Sequence, residues 1–195
     1  MHSDILIIHL NDNKMKAKIL FVLAAVAMLF TACKPEEDNV RKNELTWNGD
    51  TEQLNSAVNV HQRGTSYYIS AWTELEEGHD HPAYSFDCEI DTDGLNKTFD
   101  LAGGHGTDPS YLIYANKFYS PDKHWFYNSS YTNFADEWGG HINGTAFENT
   151  SIFKSGTMTI NLDDEALSLK LDGVLKDDDT FSVELYIPKE NFTNR

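Results

Sequence analysis

The stretch TMTINLDDEALSLKLDGVLKDDDTFSVELYI, residues 157–187, decides the fold class of this chain. Apolar side chains recur at every second position in three runs, and acidic turns at 163–165 and 177–179 separate the runs. A period of two is typical of strands with one buried face and one solvated face. Three such runs joined by short turns predict an antiparallel meander. Gly173 interrupts the middle run, which predicts a bulge there.

The same alternation continues upstream. A second apolar stripe consists of Tyr84, Phe86, Cys88 and Ile90. After it, Asp93-Gly94 predicts a hairpin turn into residues 97–101. Further strand candidates rich in Tyr, Trp and Ile are residues 67–73, 111–114 and 124–127. Helical signals are confined to residues 51–57 and 133–138, each long enough for a turn or two.

These patterns predict an all-β chain of about nine or ten short strands, with a turn roughly every 8–12 residues. We expect an antiparallel β-sandwich of the jelly-roll or immunoglobulin-like kind, with a lipocalin-like β-barrel as the alternative. The absence of crossover helices excludes a parallel α/β sheet. We place a single all-β domain at residues 44–190 and a tail at 191–195.

The amino-acid composition excludes several kinds of partner and binding site. The 195 residues include 15 Lys+Arg and 31 Asp+Glu, for a net charge of −16, and 40% of them are hydrophobic, enough for a core. An acidic surface repels phosphate backbones, so we expect no nucleic-acid partner. Two cysteines exclude a disulfide-rich scaffold and a four-cysteine zinc site.

The first 32 residues have the layout of a signal peptide. Lys14, Lys16 and Lys18 precede an apolar run at residues 19–32. As a helix this run would span about 21 Å, short of the roughly 30 Å hydrocarbon core of a bilayer. A basic flank, a short apolar stretch and small residues before a break are typical of a cleaved leader. Met15 is the expected start, because the basic segment that follows it contains no acid.

The end of the leader, Leu29-Phe30-Thr31-Ala32-Cys33, resembles the lipobox of bacterial lipoproteins. The resemblance implies cleavage after Ala32 and lipidation of Cys33, and two or three acyl chains anchor a protein stably to a membrane. Phe30 departs from the pattern, since Leu is usual there. Removing residues 1–32 takes away three lysines and two aspartates, so 163 residues remain with a net charge of −17.

Residues 33–43 form the lipidated cysteine and an extended tether rich in Pro and charge. The acidic stretch KPEEDN, residues 34–39, resembles the surface-export signal of Bacteroidetes lipoproteins. Together with residues 154–162 and 167–176, the leader makes the chain similar to small all-β Bacteroidetes lipoproteins of unknown function. The resemblance implies an outer-membrane lipoprotein exposed at the cell surface, with a periplasm-facing domain as the alternative. It implies no catalytic residues.

The segment WFYNSSYTNFADEW, residues 125–138, is the first candidate site because it mixes aromatic rings with amides and hydroxyls. Sugar rings stack on aromatic faces while polar groups bind their hydroxyls. The candidate ligand-binding residues are Trp125, Tyr131, Asn133 and Trp138. The alternative interpretation makes Trp125 and Tyr127 core residues of a strand and the rest an ordinary loop, and for Trp125 the pattern favours the core.

The segment EEGHDHP, residues 76–82, is the second candidate site. His79 and His81 project to one side of an extended chain, and with Asp80 they are suitable ligands for a divalent metal. A third histidine would complete the site, either His105 in a Gly-rich loop or His61. The competing interpretation is a polar hairpin tip without metal.

The sequence favours a binding protein over an enzyme. It contains neither Gly-x-Ser-x-Gly nor His-Glu-x-x-His, and the adjacent Asp136 and Glu137 do not form an acid–base pair. The leading hypothesis is a lipid-anchored binding or accessory module of the cell envelope, with polysaccharide or envelope proteins as partners, a glycan as the expected ligand and no cofactor. The alternatives are a metal- or haem-handling lipoprotein and a structural or host-interacting surface protein.

Overall fold

Alternating apolar positions generate an almost purely β architecture. The computed structural model describes residues 42–103, 110–119, 123–131 and 139–194. Their fourteen strands are β1 (Glu44–Trp47), β2 (Asp50–Gln53), β3 (Ser56–Arg63), β4 (Ser66–Trp72), β5 (Tyr84–Asp91), β6 (Lys97–Asp100), β7 (Tyr111–Lys117), β8 (His124–Ser129), β9 (Gly139–Ile142), β10 (Thr145–Glu148), β11 (Phe153–Leu162), β12 (Ala166–Leu175), β13 (Thr180–Pro188) and β14 (Phe192–Asn194). Within these ranges the only helical elements are single 3₁₀ turns at Thr92–Gly94 and Lys189–Asn191.

The strands form two separate sheets. One sheet has six strands in the order β2-β1-β13-β12-β11-β6, and the other has eight in the order β10-β9-β8-β7-β5-β4-β3-β14. All strand pairs are antiparallel except the pair of β14 with β3. Both sheets keep free edges, so the predicted sandwich is confirmed and the alternative barrel is not formed.

A single apolar core joins the inner faces of the sheets. Trp47 and Phe181 come from the six-stranded sheet, and Phe126 comes from the eight-stranded sheet. The ring centroid of Phe126 lies 5.5 Å from that of Trp47 and 4.8 Å from that of Phe181. Such aromatic contacts contribute about 0.5–1.5 kcal/mol each beyond the area they bury. Cys88 lies in this core as a free, buried thiol, where burial raises its pKa.

The meander predicted for residues 157–187 is confirmed by β11, β12 and β13, which pair in sequence order. The predicted irregularity is also present, but the register shift lies in β11, between Phe153 and Ser155, which pair with Leu175 and Val174 beside Gly173. A Cβ atom at Gly173 would lie 2.7 Å from the Phe153 ring. The glycine is therefore required so that this ring can pack across β12.

Four sequence predictions need correction. Residues 51–57 form the ends of β2 and β3 and no helical turn. Asp93-Gly94 does not make a hairpin, because β5 belongs to the eight-stranded sheet and β6 crosses to pair with β11. Within the expected tail at 191–195, Phe192–Asn194 form β14, which pairs with β3. The described residues contain fourteen strands where nine or ten were predicted.

Several predictions fall on residues outside the described ranges: the signal peptide, Cys33, the tether as far as residue 41, and the helical turn at 133–138. Among the described helical elements, none is long and apolar enough to cross a bilayer.

Candidate functional site

The outward-facing surfaces of the two sheets differ in composition. On the six-stranded sheet the outward positions carry mostly Ser, Thr and charged residues, and Tyr186 is the only aromatic side chain among those described. The eight-stranded sheet presents five outward aromatic residues: Tyr68, Trp72, Tyr114, Trp125 and Tyr127. All five are at least partly exposed, and Trp72 is 38% exposed. Clustered exposed aromatic rings mark binding surfaces, so we call this surface the aromatic face.

Strand register arranges the aromatic face as a grid. One row across β4, β5, β7 and β8 consists of Trp72, Ser85, Asn116 and Trp125. The next row consists of Ser70, Asp87, Tyr114 and Tyr127. The third row consists of Tyr68, Glu89, Leu112 and Ser129. Neighbours within a row are about 4.8 Å apart, and successive rows about 6.8 Å apart. Aromatic residues therefore flank a polar centre on both sides.

The first row has a fixed polar centre. Asn116 Nδ2 donates a 3.3 Å hydrogen bond to Ser85 Oγ, and the Tyr114 hydroxyl donates a 3.0 Å bond to Asn116 Oδ1. Both Asn116 and Ser85 are buried although they face outward. Buried polar groups joined in this way hold their neighbours in one arrangement. The network fixes the hydroxyl of Tyr114, a residue of the second row, beside Asn116 in the first row.

Asp87 occupies the middle of the aromatic face. Its Oδ1 accepts a 2.6 Å hydrogen bond from Ser70 Oγ on β4. Burial raises the pKa of the Asp87 carboxyl, and hydrogen bonds from the Ser70 and Trp72 side chains offset part of that effect. A half-buried carboxyl on the outside of a sheet is costly to ionise.

Two tyrosines lie close to Glu89, which is the next outward-facing residue of β5 after Asp87. Burial raises the pKa of the Tyr68 hydroxyl, and its hydrogen bond to Glu89 adds to the increase. Burial also raises the pKa of the Tyr131 hydroxyl, followed by the effects of the Glu89 and Asp91 carboxylates. Asp91 accepts a 3.0 Å hydrogen bond from Ser66 Oγ. Tyr131 thus lies beside the acidic end of the aromatic face.

A groove of about 560 Å³ opens at the β3 side of the aromatic face. Its lining includes His61, Gln62, Arg63 and Tyr68. This volume falls within the range of about 300–1,000 Å³ that small-ligand sites occupy. The groove therefore extends the aromatic face from Tyr68 toward the edge formed by β3 and β14.

The structure locates two of the four predicted ligand-binding residues. Trp125 faces outward in β8, so the alternative interpretation of Trp125 as core is wrong. Tyr131 follows β8 and lies against Glu89. Asn133 and Trp138 lie outside the described residues. Tyr68, Trp72 and Tyr114 are not among the predicted ligand-binding residues, although alternation with the buried Tyr67, Ile69 and Ala71 places Tyr68 and Trp72 outside.

The predicted metal ligands lie in the loop between β4 and β5. The His79 ring contacts the Tyr119 ring at 4.1 Å between centroids, whereas the His81 ring stacks on Phe118 at 5.2 Å. His79 Nε2 lies 4.0 Å from Glu76 Oε2. His61 is on β3, beside Thr193 of β14, and His105 is outside the described residues. In the described ranges, His79, Asp80 and His81 belong to no group of three metal-ligating atoms.

A different cluster brings metal-ligating residue types together. His124 Nε2 lies 2.8 Å from Asp177 Oδ2 and 3.4 Å from Asp179 Oδ2. Asp179 Oδ2 also accepts a 2.9 Å hydrogen bond from the buried Trp47 indole. The 2.8 Å separation is a direct hydrogen bond. The cluster therefore fastens β8 to the β12–β13 turn above the core.

Comparisons of the chain with protein-family models, with curated proteins and with solved structures found no match.

Proposed function

We propose that the chain is a lipid-anchored binding module of the cell envelope and that its aromatic face binds a glycan. The observation that supports this proposal is the grid of Tyr68, Trp72, Tyr114, Trp125 and Tyr127 on one outward surface. The other outward surface of the sandwich offers a single described aromatic residue, Tyr186. Outward aromatic residues that are concentrated on one of the two sheets are better explained by ligand binding than by the requirements of folding.

A sugar can interact both with the aromatic rings of the grid and with the polar side chains between them. The C–H faces of a pyranose ring are apolar and stack on flat aromatic rings. Its hydroxyl groups require hydrogen-bond partners, which Ser70 and Asp87 offer between the rings. A sheet surface is also long and open, which suits an extended chain of sugars better than a small enclosed substrate. We therefore infer a polysaccharide or oligosaccharide as the ligand.

The leader supports the location part of the proposal. The segment Leu29-Phe30-Thr31-Ala32-Cys33 resembles a lipobox, and residues 34–39 resemble a surface-export signal. An outer-membrane lipoprotein that faces the outside would meet polysaccharide directly. Labelling with palmitate tests the anchor: the label should enter the chain and be lost on Cys33→Ala. An unlabelled chain would contradict the anchor and leave the glycan proposal intact.

A glycan array with point variants tests the binding part. The purified chain should bind at least one polysaccharide, and Trp72→Ala and Trp125→Ala should each weaken that binding about tenfold or more, the effect expected for loss of an aromatic anchor. Tyr186→Ala is the matched control, because it removes an outward aromatic ring from the other sheet. Retained affinity in both tryptophan variants, or equal loss in the control, would refute the aromatic face as the site.

A further inference from the structure

The charge of the aromatic face narrows the ligand class. We infer, resting on the proposed glycan-binding function, that the aromatic face selects a glycan with free, protonated amino groups. The inference depends on two properties of the surface: a row of carboxylates along β5 that forms no salt bridge with any described residue, and aromatic rings on both sides of that row. Both properties favour an ammonium group over a neutral or acidic one.

The carboxylates belong to Asp87, Glu89 and Asp91, which occupy alternate positions of β5 and so face outward together. In the part of the chain that the structure describes, none of the three forms a salt bridge. Their described hydrogen-bond partners are hydroxyl groups and one indole, from Ser66, Tyr68, Ser70 and Trp72, and the Tyr131 hydroxyl lies nearby. Negative charge is therefore held on the surface by neutral hydrogen bonds alone.

Free acceptor sites remain on these carboxylates. An ionised carboxylate accepts about four hydrogen bonds. From the described residues, Asp87 receives two and Asp91 receives one, from Ser66. An ammonium group carries three donors and a positive charge, so it fills such sites with charge-assisted bonds, which are roughly twice as strong as neutral ones.

The neighbouring rings add a second attraction for cations. Tyr68 lies directly opposite Glu89, and Tyr114 lies directly opposite Asp87. The face of an aromatic ring attracts a cation through its quadrupole, most strongly where water is partly excluded. An amino sugar placed along β5 would thus stack its ring on aromatic carbon while its ammonium group meets a carboxylate.

The same charges disfavour the other glycan classes. A uronate or sulfate ester would place an anion beside Asp87 and Glu89, and like-charge juxtaposition is costly. Arg63 contributes one cation at the β3 edge, beside Tyr68, and makes no described salt bridge with the carboxylate row. N-acetylation converts the amine into a bulkier amide, which carries no positive charge. The expected order of affinity is free amine, then acetylated amine, then uronate.

Calorimetric titration with three hexasaccharides tests this order: glucosamine, N-acetylglucosamine and galacturonate. The full chain, purified in detergent, should bind the glucosamine hexamer at least about tenfold more tightly than the acetylated hexamer. Glu89→Gln and Asp87→Asn should each reduce that preference. Glu184→Gln, an equal change of charge on the outer face of β13, should leave it unchanged.

The outcomes distinguish the amine preference from the glycan proposal. Equal or tighter binding of the acetylated or galacturonate hexamer would overturn the amine preference and keep the glycan proposal. Absence of binding to all three, together with absence of binding across the glycan array, would overturn both. Binding of oligolysine with the same dependence on Glu89, but no binding of glucosamine hexamer, would replace the amino sugar by a basic peptide and also overturn the inference.

Discussion

Ser70 Oγ donates a 2.6 Å hydrogen bond to Asp87 Oδ1 across β4 and β5, on the outward surface of the eight-stranded sheet. An outward carboxyl on an ordinary strand would extend into water. Asp87 is instead half-buried, and burial raises its pKa in spite of that bond. Ionised Asp87 is therefore electrostatically unfavourable at the centre of the aromatic face. Binding of an amino sugar at this face would offset that cost.

Asp87→Asn should stabilise the protein at neutral pH. A raised carboxyl pKa in the folded state means that the folded chain holds the proton more tightly than the unfolded chain does. The folding stability that the Asp87 carboxyl contributes is fully present at pH values below its pKa in the unfolded chain. It is lost as the pH rises through the pKa of this carboxyl in the folded chain. The variant should therefore have a higher urea midpoint than the parent at pH 7, and the difference should vanish in acid.

The control for this prediction is Asp172→Asn, which removes an exposed carboxylate from the outer face of β12. Its urea midpoint should differ little from that of the parent at either pH. A midpoint for Asp87→Asn that equals or falls below the parent value at pH 7 would show that ionised Asp87 is not destabilising.

Asp179→Ala should destabilise the fold by about 1–3 kcal/mol, since it leaves a buried donor without its partner. The donor is the indole Nε1 of Trp47, which is 2% exposed. The variant also removes the acceptor of Asn48 Nδ2 at 2.6 Å. Chemical denaturation at pH 7 measures the change in the free energy of unfolding.

Asp178→Ala, in the same turn, provides the comparison. The Asp178 side chain is 83% exposed and pairs with Lys154 at the surface. Surface ion pairs contribute about 0–1 kcal/mol, so the Asp178 change should be small. Similar losses for the two variants would mean that the turn, rather than the Trp47–Asp179 bond, carries the effect.

Gly173→Ala should destabilise the sandwich by about 1–3 kcal/mol through overpacking. The new Cβ would lie 2.7 Å from the Phe153 ring, so the ring must move. Phe153→Leu removes the ring and should make the added alanine less costly. A double-mutant cycle with urea denaturation measures this coupling. Additive free energies would contradict the packing explanation of the glycine.

Local patterns in the sequence were sufficient for the sandwich. Leu167, Leu169 and Leu171 alternate with polar residues, and this period alone determines a strand with one buried face. The same signal failed at Asp93-Gly94, because a turn signature does not specify which sheet receives the next strand. Pairing of β6 with β11 depends on contacts some sixty residues apart in the chain, which no local pattern contains.

The site was less predictable than the fold. Trp125 is a candidate because its segment mixes aromatic rings with amides and hydroxyls, but the sequence favours a core position for it. The outward direction of its side chain follows only from the pairing of β8 with β7. Tyr68 and Trp72 become significant only through register, which sets them beside Asp87 and Glu89. A single strand shows that a ring faces outward. Only the assembled sheet shows that rings from three strands, β4, β7 and β8, share one surface.

The most direct test of the aromatic face is an NMR titration that follows the tryptophan indole N–H resonances while a glycan from the array is added. The indole signals of Trp72 and Trp125 should shift, because both rings lie on the proposed binding surface. The signal of Trp47, which is buried in the core, should stay in place as an internal control. Binding without a shift of the Trp72 and Trp125 signals, or with perturbations confined to the six-stranded sheet, would contradict the proposed site.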